Sequence, residues 1–198
     1  QTRLKADNGT TLEYLYDLAE GVKKAVIHYP SSYKYYTDAD LPTHGVEYDK
    51  GDLDFSGITI KQAIGFGGKL KGNGHKICNL KASAPIFAEI TGSITGLVID
   101  ASCEFKGTSS LMASLVGKNS GTLTNVRNEA PVTFRSDEDI LNSVIIGGVA
   151  AISSGRLYMC DNSGAVTLST PGGTKAVSAG GVVGHMTSEA AMCTNSGS

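Results

Sequence analysis

The chain carries one phrase twice. "GGVAAISSGRLYMCDNSGA" begins at Gly147, and "GGVVGHMTSEAAMCTNSG" begins at Gly180. Gly147, Val149, Met159, Cys160, Asn162 and Gly164 recur 33 positions later as Gly180, Val182, Met192, Cys193, Asn195 and Gly197. A fixed internal period constrains the fold more than any single motif. A unit this short cannot bury its own apolar face, so it must stack on a copy of itself.

Earlier copies continue upstream. Gly121, Leu123, Asn128 and Val132 match Gly155, Leu157, Asn162 and Val166 at an offset of 34. Ile94, Leu97 and Phe105 match Leu123, Val126 and Phe134 at 29, and "ICNL" from Ile77 matches "ITGL" from Ile94 at 17, short for a full turn. "TGSITGLVID" and "SGTLTNVRN" alternate with the period of two that marks a half-buried strand. The variable stretches "RSDEDILNS" and "STPGGTKA" fall between constant phrases, as loop excursions do. These features predict an all-β chain: a right-handed parallel β-helix, or solenoid, over residues 51–198. Leu123 and Leu157 should stack in its core. Asn128, Asn162 and Asn195 should stack at a corner, where Asn tolerates left-handed geometry and its amides form a ladder.

The first fifty residues are a different text. "TTLEYLYDLAEGVKK" spaces its leucines helically, Thr10 and Glu13 form a T-x-x-E capping box, and Gly21 with two lysines marks a helix end. This predicts a short helix over about 11–22. With the tyrosine-rich segment after it, residues 1–50 would form an N-terminal cap over the open first rung. At the other end, the copy from Gly180 stops at Ser198, whereas its counterpart runs past Gly164 into "AVTLS". The expectation is a fragment of a longer β-helix, with an open rung that invites end-to-end self-association.

Composition narrows the function. Of 198 residues, 40% are hydrophobic and 18% charged, with a net charge of −2, so this is a folding sequence without the basic footprint of a nucleic-acid binder. No stretch approaches the ~20 apolar residues of a membrane helix. The four cysteines include no C-x-x-C pair, which removes the usual zinc and thioredoxin spacings.

One stretch carries a specific resemblance. "DLDFSGITIKQAIGFGGKLKGNGHKICNL" places Asp52, Leu53, Asp54, Gly72, Asn73, Gly74, His75, Ile77, Asn79 and Leu80 where GLUG-type β-helix proteins of Bacteroidetes and related bacteria have their opening rung. Lys71 stands where that family usually has Asp. The family's Gly-Leu-x-Gly phrase is echoed by "GVVG" from Gly181, and more weakly by "SLVG" from Ser114 and "GVAA" from Gly148. The chain thus resembles that family from about Thr10 onward. The resemblance implies a β-helix on the bacterial surface or secreted, often adhesin-like, with no catalytic residues to carry over.

Each remaining motif also has a plainer structural role. Gly68-Lys69 is followed by Leu70, so "GFGGKLKGNGHK" fails the phosphate-loop pattern, and rung turns account for its glycines. His28, His44, His75 and His185 lack partners at metal-ligand spacing; His75 reads as a turn former and His185 as an exposed, variable position. Asp52 and Asp54 share a strand face that could bind a cation, against the plainer reading of solvated acids. Asp38 and Asp40, and the Asp137–Asp139 loop, are the other acid groups weighed for a polysaccharide-active enzyme. Cys160 and Cys193 read as small inward hydrophobes. Seven of the eight tyrosines precede residue 50. Tyr33, Tyr35 and Tyr36 are therefore the candidate ligand contacts, with packing inside the cap as the plainer role.

The sequence thus predicts a non-catalytic, extracellular or cell-surface β-helix. It would act as an adhesin-like or scaffold module for a host or matrix glycan or protein, with no metal, no cofactor, no nucleic-acid partner and no membrane span. The alternative is a carbohydrate-active β-helix enzyme, a polysaccharide lyase or glycoside hydrolase. Convergent carboxylates in a cleft would favour the enzyme; a flat ladder of Ser, Thr and Asn would favour the scaffold.

Overall fold

A computed structural model describes residues 26–27, 46–47, 52–55, 59–60, 64–140, 142–171 and 176–198. Short strands follow one another with no helix among these residues. Four strands open the chain: β1 (Val26–Ile27), β2 (Val46–Glu47), β3 (Leu53–Asp54) and β4 (Thr59–Ile60). A turn of β5 (Ile64–Phe66), β6 (Lys69–Lys71), β7 (Lys76–Cys78) and β8 (Lys81–Ala82) follows. The next turn has five strands: β9 (Phe87–Ile90), β10 (Ser93–Thr95), β11 (Val98–Ile99), β12 (Glu104–Gly107) and β13 (Leu111–Met112). Two further five-strand turns are β14 (Val116–Asn119), β15 (Thr122–Thr124), β16 (Arg127–Asn128), β17 (Val132–Arg135) and β18 (Val144–Gly147), then β19 (Ala150–Ser153), β20 (Arg156–Tyr158), β21 (Asp161–Asn162), β22 (Val166–Ser169) and β23 (Val177–Gly180). β24 (Val183–Met186), β25 (Ala190–Ala191) and β26 (Thr194–Asn195) complete the order.

Each strand pairs with its equivalent in the next turn, giving five sheets. In the order the chain visits them, sheet I holds β5, β9, β14, β19 and β24; sheet II β2, β6, β10, β15, β20 and β25; sheet III β1, β3, β7, β11, β16, β21 and β26; sheet IV β4, β8, β12, β17 and β22; and sheet V β13, β18 and β23. All pairings are parallel except β1 with β3. The fold is therefore a parallel β-solenoid with three complete five-strand turns among the described residues, as the repeats predict. The helix expected over 11–22 lies outside those residues.

Register follows the repeat at the later offsets and departs from it at the earlier ones. Leu123 pairs with both Ile94 and Leu157, and Val132 with Val166. The three Gly-Leu-x-Gly-like phrases stack, since Ser114 N–H donates to Gly148 C=O and Gly148 N–H to Gly181 C=O. The offset of 17 is not a turn of the fold. Ile77 pairs with Ile99, and Ile94 with Leu70, because "ICNL" lies in sheet III and "SIT" in sheet II. Phe105 pairs with Val132 rather than Phe134. Two similar strands per turn allowed one to be mistaken for the other.

The core is a stack of inward side chains from successive turns. Leu70, Ile94, Leu123 and Leu157 form one column, and Phe87, Phe105 and Phe134 add aromatic bulk, all almost fully buried. Asn128 and Asn162 lie inside the stack. Asn128 Nδ2 donates to Asn162 Oδ1 at 2.7 Å, and Asn162 Nδ2 donates to Asn195 Oδ1 at 2.8 Å. Each also donates to the carbonyl two residues on, Ala130 or Gly164. The amide ladder is present, but not at a left-handed corner: these residues sit in strands. The left-handed column lies three residues earlier, at Gly96, Asn125, Met159 and Met192, with φ of 66°, 52°, 52° and 54°. It turns the chain from sheet II to sheet III, which is why Gly and Asn appear there.

Leu157→Asp places a charge in the core column, whereas Arg156 is exposed and faces outward. We expect denaturant melts to lose about 4 kcal/mol or more for Leu157→Asp. Arg156→Ala should change stability by about 0.5 kcal/mol or less. Equal effects would mean the strand faces are reversed.

Candidate functional site

In a parallel stack, a residue type at one repeat position lines up with its equivalents in neighbouring turns. On sheet III this brings charges together. Val98 pairs with Lys76 on one side and Arg127 on the other, so Asp100 and Glu129 occupy equivalent places just beyond their strands. The Lys76 ammonium lies 2.7 Å from Asp100 Oδ1 and 3.5 Å from Glu129 Oε2. Arg127 Nε lies 3.3 Å from Glu129 Oε1. The Ser102 hydroxyl donates to Asp100 Oδ2 at 2.6 Å, its N–H donates to the same oxygen at 3.0 Å, and its Oγ accepts the Asn79 N–H. One acid thereby braces two turns.

These contacts fix the chemistry of the pair. The hydrogen bond from Lys76, then those from Ser102, hold the Asp100 carboxyl at about 2, well below its ordinary value. The hydrogen bond to Asp100 and the charge of Glu129 raise the Lys76 ammonium above the usual lysine value. A general acid or base works best with a pKa near the working pH. Asp100 is too weak a base and Lys76 too weak an acid for that role near neutrality. The sequence reading passed over Asp100 and Glu129, although they stand 29 positions apart, the same offset as Ile94 and Leu123.

The residues singled out by sequence are placed as follows. Asp52 Oδ1 accepts the Lys76 N–H at 2.8 Å and lies 3.6 Å from His75 Nδ1. His75 N–H donates to Gly72 C=O and closes a turn, a backbone contact that does not depend on the imidazole. The side chain of Asp54 lies outside the described residues, as do Tyr33, Tyr35, Tyr36, Asp38, Asp40, His28 and His44. His185 is exposed and pairs with Ile152. In the acidic loop, Asp137 meets Arg135 at 3.4 Å, both exposed. Among the described residues no three His, Cys, Asp or Glu side chains gather to hold a metal ion, and no helix is long and apolar enough to cross a membrane.

The cysteines follow the packing expectation. Cys160 is buried in the core and Cys193 packs against it from the next turn. Burial pushes the Cys103 and Cys160 thiols up to about 12, so neither is a nucleophile at neutral pH. The outward side of sheet II carries hydroxyls on two adjacent strands, β10 and β15, between Lys69 and Lys71 of β6 and Arg156 and Tyr158 of β20. Ser93 stacks on Thr122 and then Arg156, while Thr95 stacks on Thr124 and then Tyr158. Arg156 reaches Glu189 of the following turn at 3.1 Å.

The Asp100 contacts set a pH signature. Its folded pKa is depressed, so its contribution is present above the unfolded value, near 4, and fades as pH falls through about 2. Solvent around the half-exposed Lys76 reduces that contribution to about 1 kcal/mol. Asp100→Asn should therefore be less stable than the parent by about 1 kcal/mol near pH 7, with the gap closing below about pH 2. Urea melts at both pH values check this; a gap that does not change with pH would show that the carboxylate charge is not what stabilises the turns.

The chain matches no protein family, no curated protein and no solved structure.

Proposed function

We propose that this chain is a non-catalytic binding or display module of a bacterial surface or secreted protein. It is adhesin-like or scaffold-like, and its partner is a host or matrix glycan or protein. The observation that carries the reading is the state of the two carboxylates that converge. Asp100 and Glu129 are both tied to Lys76, and Glu129 also to Arg127, so they hold turns together and are not set around an open position. The mixed polar face of sheet II, with Ser93, Thr95, Thr122 and Thr124 between Lys69, Lys71 and Arg156, suits a surface that presents contacts. The likeness of "DLDFSGITI" and "GNGHKICNL" to GLUG-type proteins points the same way, and with it come right-handed winding and an N-terminal helical cap.

The test pairs a binding screen with an activity screen. The whole chain is applied to an array of glycans and extracellular matrix proteins, and separately incubated with neutral and acidic polysaccharides. We expect retention on the array and no release of reducing ends or unsaturated uronides. Tyr33→Ala, Tyr35→Ala or Tyr36→Ala should weaken retention through at least one position, with the melting curve unchanged. Depolymerisation of any polysaccharide would overturn the reading in favour of the enzyme. Loss of more than about 2 kcal/mol of stability in all three variants would assign the tyrosines to packing.

A further inference from the structure

Sheet V starts one turn late. Between β8 and β9 the chain passes from sheet IV to sheet I through Ser83–Ile86 alone, whereas the following turn detours through β13. β13 is thus an edge strand: it pairs with β18, and no strand lies on its other side among the described residues.

What sheet V covers is visible where it is present. Sheet I carries a column of small residues, Ala88, Gly117, Ala151 and Gly184, which follow Phe87, Val116, Ala150 and Val183 in successive turns, and the strands of sheet V pack on its later members. A Cβ built on Gly117 would lie 3.6 Å from Leu111 Cβ, and one on Gly184 would lie 2.7 Å from Ile145 Cγ2. Ser178 Oγ donates to Gly184 C=O at 2.6 Å. Gly117 and Ala151 are buried, but Ala88, where sheet V has no strand, is exposed. Over Ala88 lies a cavity of about 570 Å³, bounded by Ser83, Ala84 and Pro85 on one side and Thr108, Ser109 and Leu111 on the other.

The edge of β13 faces this space. Ile145 pairs with Leu111 and its N–H donates to Ser110 C=O at 2.8 Å. In a parallel ladder alternate residues turn to opposite neighbours. Leu111 therefore directs its own N–H and C=O away from β18. Its C=O accepts the Ser109 hydroxyl at 3.0 Å, while its N–H has no bond to any described residue. Among the described residues the walls carry no charged group and no aromatic ring, which disfavours an anion and removes the stacking face a sugar ring uses.

We propose that this cavity is a slot for strand addition. It takes a short, uncharged, extended peptide segment of a partner protein as a further strand of sheet V beside β13. The residue of that segment facing Ala88 is small or aliphatic, because Leu111, Ile145 and Ser178 hold the equivalent place in the strands above. The inference goes beyond the display role, which needs no such slot, and it stands or falls separately from it.

The test passes a fluorescent pool of random hexapeptides built from Ala, Gly, Ser, Thr, Val and Leu over the immobilised whole chain. The best-retained peptides are then titrated by anisotropy. Ala88→Trp fills the slot from an exposed position, and Leu111→Pro removes the edge N–H at a place where an edge strand accepts proline. We expect enrichment on the parent chain, at least ~10-fold weaker binding to each variant with unchanged melting, and slower exchange of the Leu111 amide when peptide is bound. The amide exchange and Ala88→Trp decide the matter if Leu111→Pro folds poorly. Enrichment no greater on the parent than on Ala88→Trp would overturn the proposal, as would peptides indifferent to Leu111→Pro with no protection of that amide. A neutral hexasaccharide blocked by Ala88→Trp but indifferent to Leu111→Pro, with no peptide enriched, would overturn it in favour of a sugar.

Discussion

Turn-to-turn hydrogen bonding is the constraint on which everything else in this solenoid rests. A strand of two to four residues has no stability alone, and here almost every strand finds its partner in the turn before or after it. Arg127 N–H donates to Leu97 C=O, Asp161 N–H to Val126 C=O, and Thr194 N–H to Cys160 C=O. Backbone pairing of this kind sets the spacing near ~4.8 Å and forces equivalent residues into register. Side chains then have only a few outcomes. Apolar ones stack as a continuous core, amides form ladders, and charges meet charges of the next turn.

The same stacking that stabilises the fold also occupies its polar groups. Asn128 and Asn162 would be costly alone in an apolar interior, and each is satisfied by the neighbour it stacks on. On the outside, Lys76, Asp100, Arg127 and Glu129 arrive together because their strands are in register, and the contacts among them lower the pKa of Asp100 and raise that of Lys76. A stack built this way has few groups left over for chemistry. It does leave places where the pattern breaks, and the late start of sheet V beside Ala88 is the clearest of them.

How much was legible depended on whether a feature repeats. The pairing of Leu123 with Leu157 and the Asn ladder follow directly from offsets of 33 and 34, because a parallel stack turns sequence period into spatial register. The first turns were harder to align. Ile77 and Ile94 look alike in sequence, yet they belong to different sheets, and Asn73-Gly74 lengthens one connection so that the period changes. The left-handed corner was missed because Met159 and Met192 occupy it, and Met gives no signal for positive φ. Sheet V was not legible because β18 and β23 run directly into the repeated phrase at Gly147 and Gly180, so nothing in the sequence separates them from the sheet I strands that follow. Of the candidate site, the inward packing of Cys160 was readable, whereas the Lys76 network needed the sheet register to be known.

Native-state hydrogen exchange, residue by residue, tests the central claim that each turn is held by the turns on both sides of it. Arg127 and Asp161 belong to inner strands of sheet III, and Thr194 to its outermost described strand. If stability is shared between nearest neighbours, the Arg127 and Asp161 amides will exchange at least ~10-fold more slowly than Thr194, with protection falling turn by turn toward the edge of the stack. Equal protection at all three positions, or strongest protection at Thr194, would contradict the account.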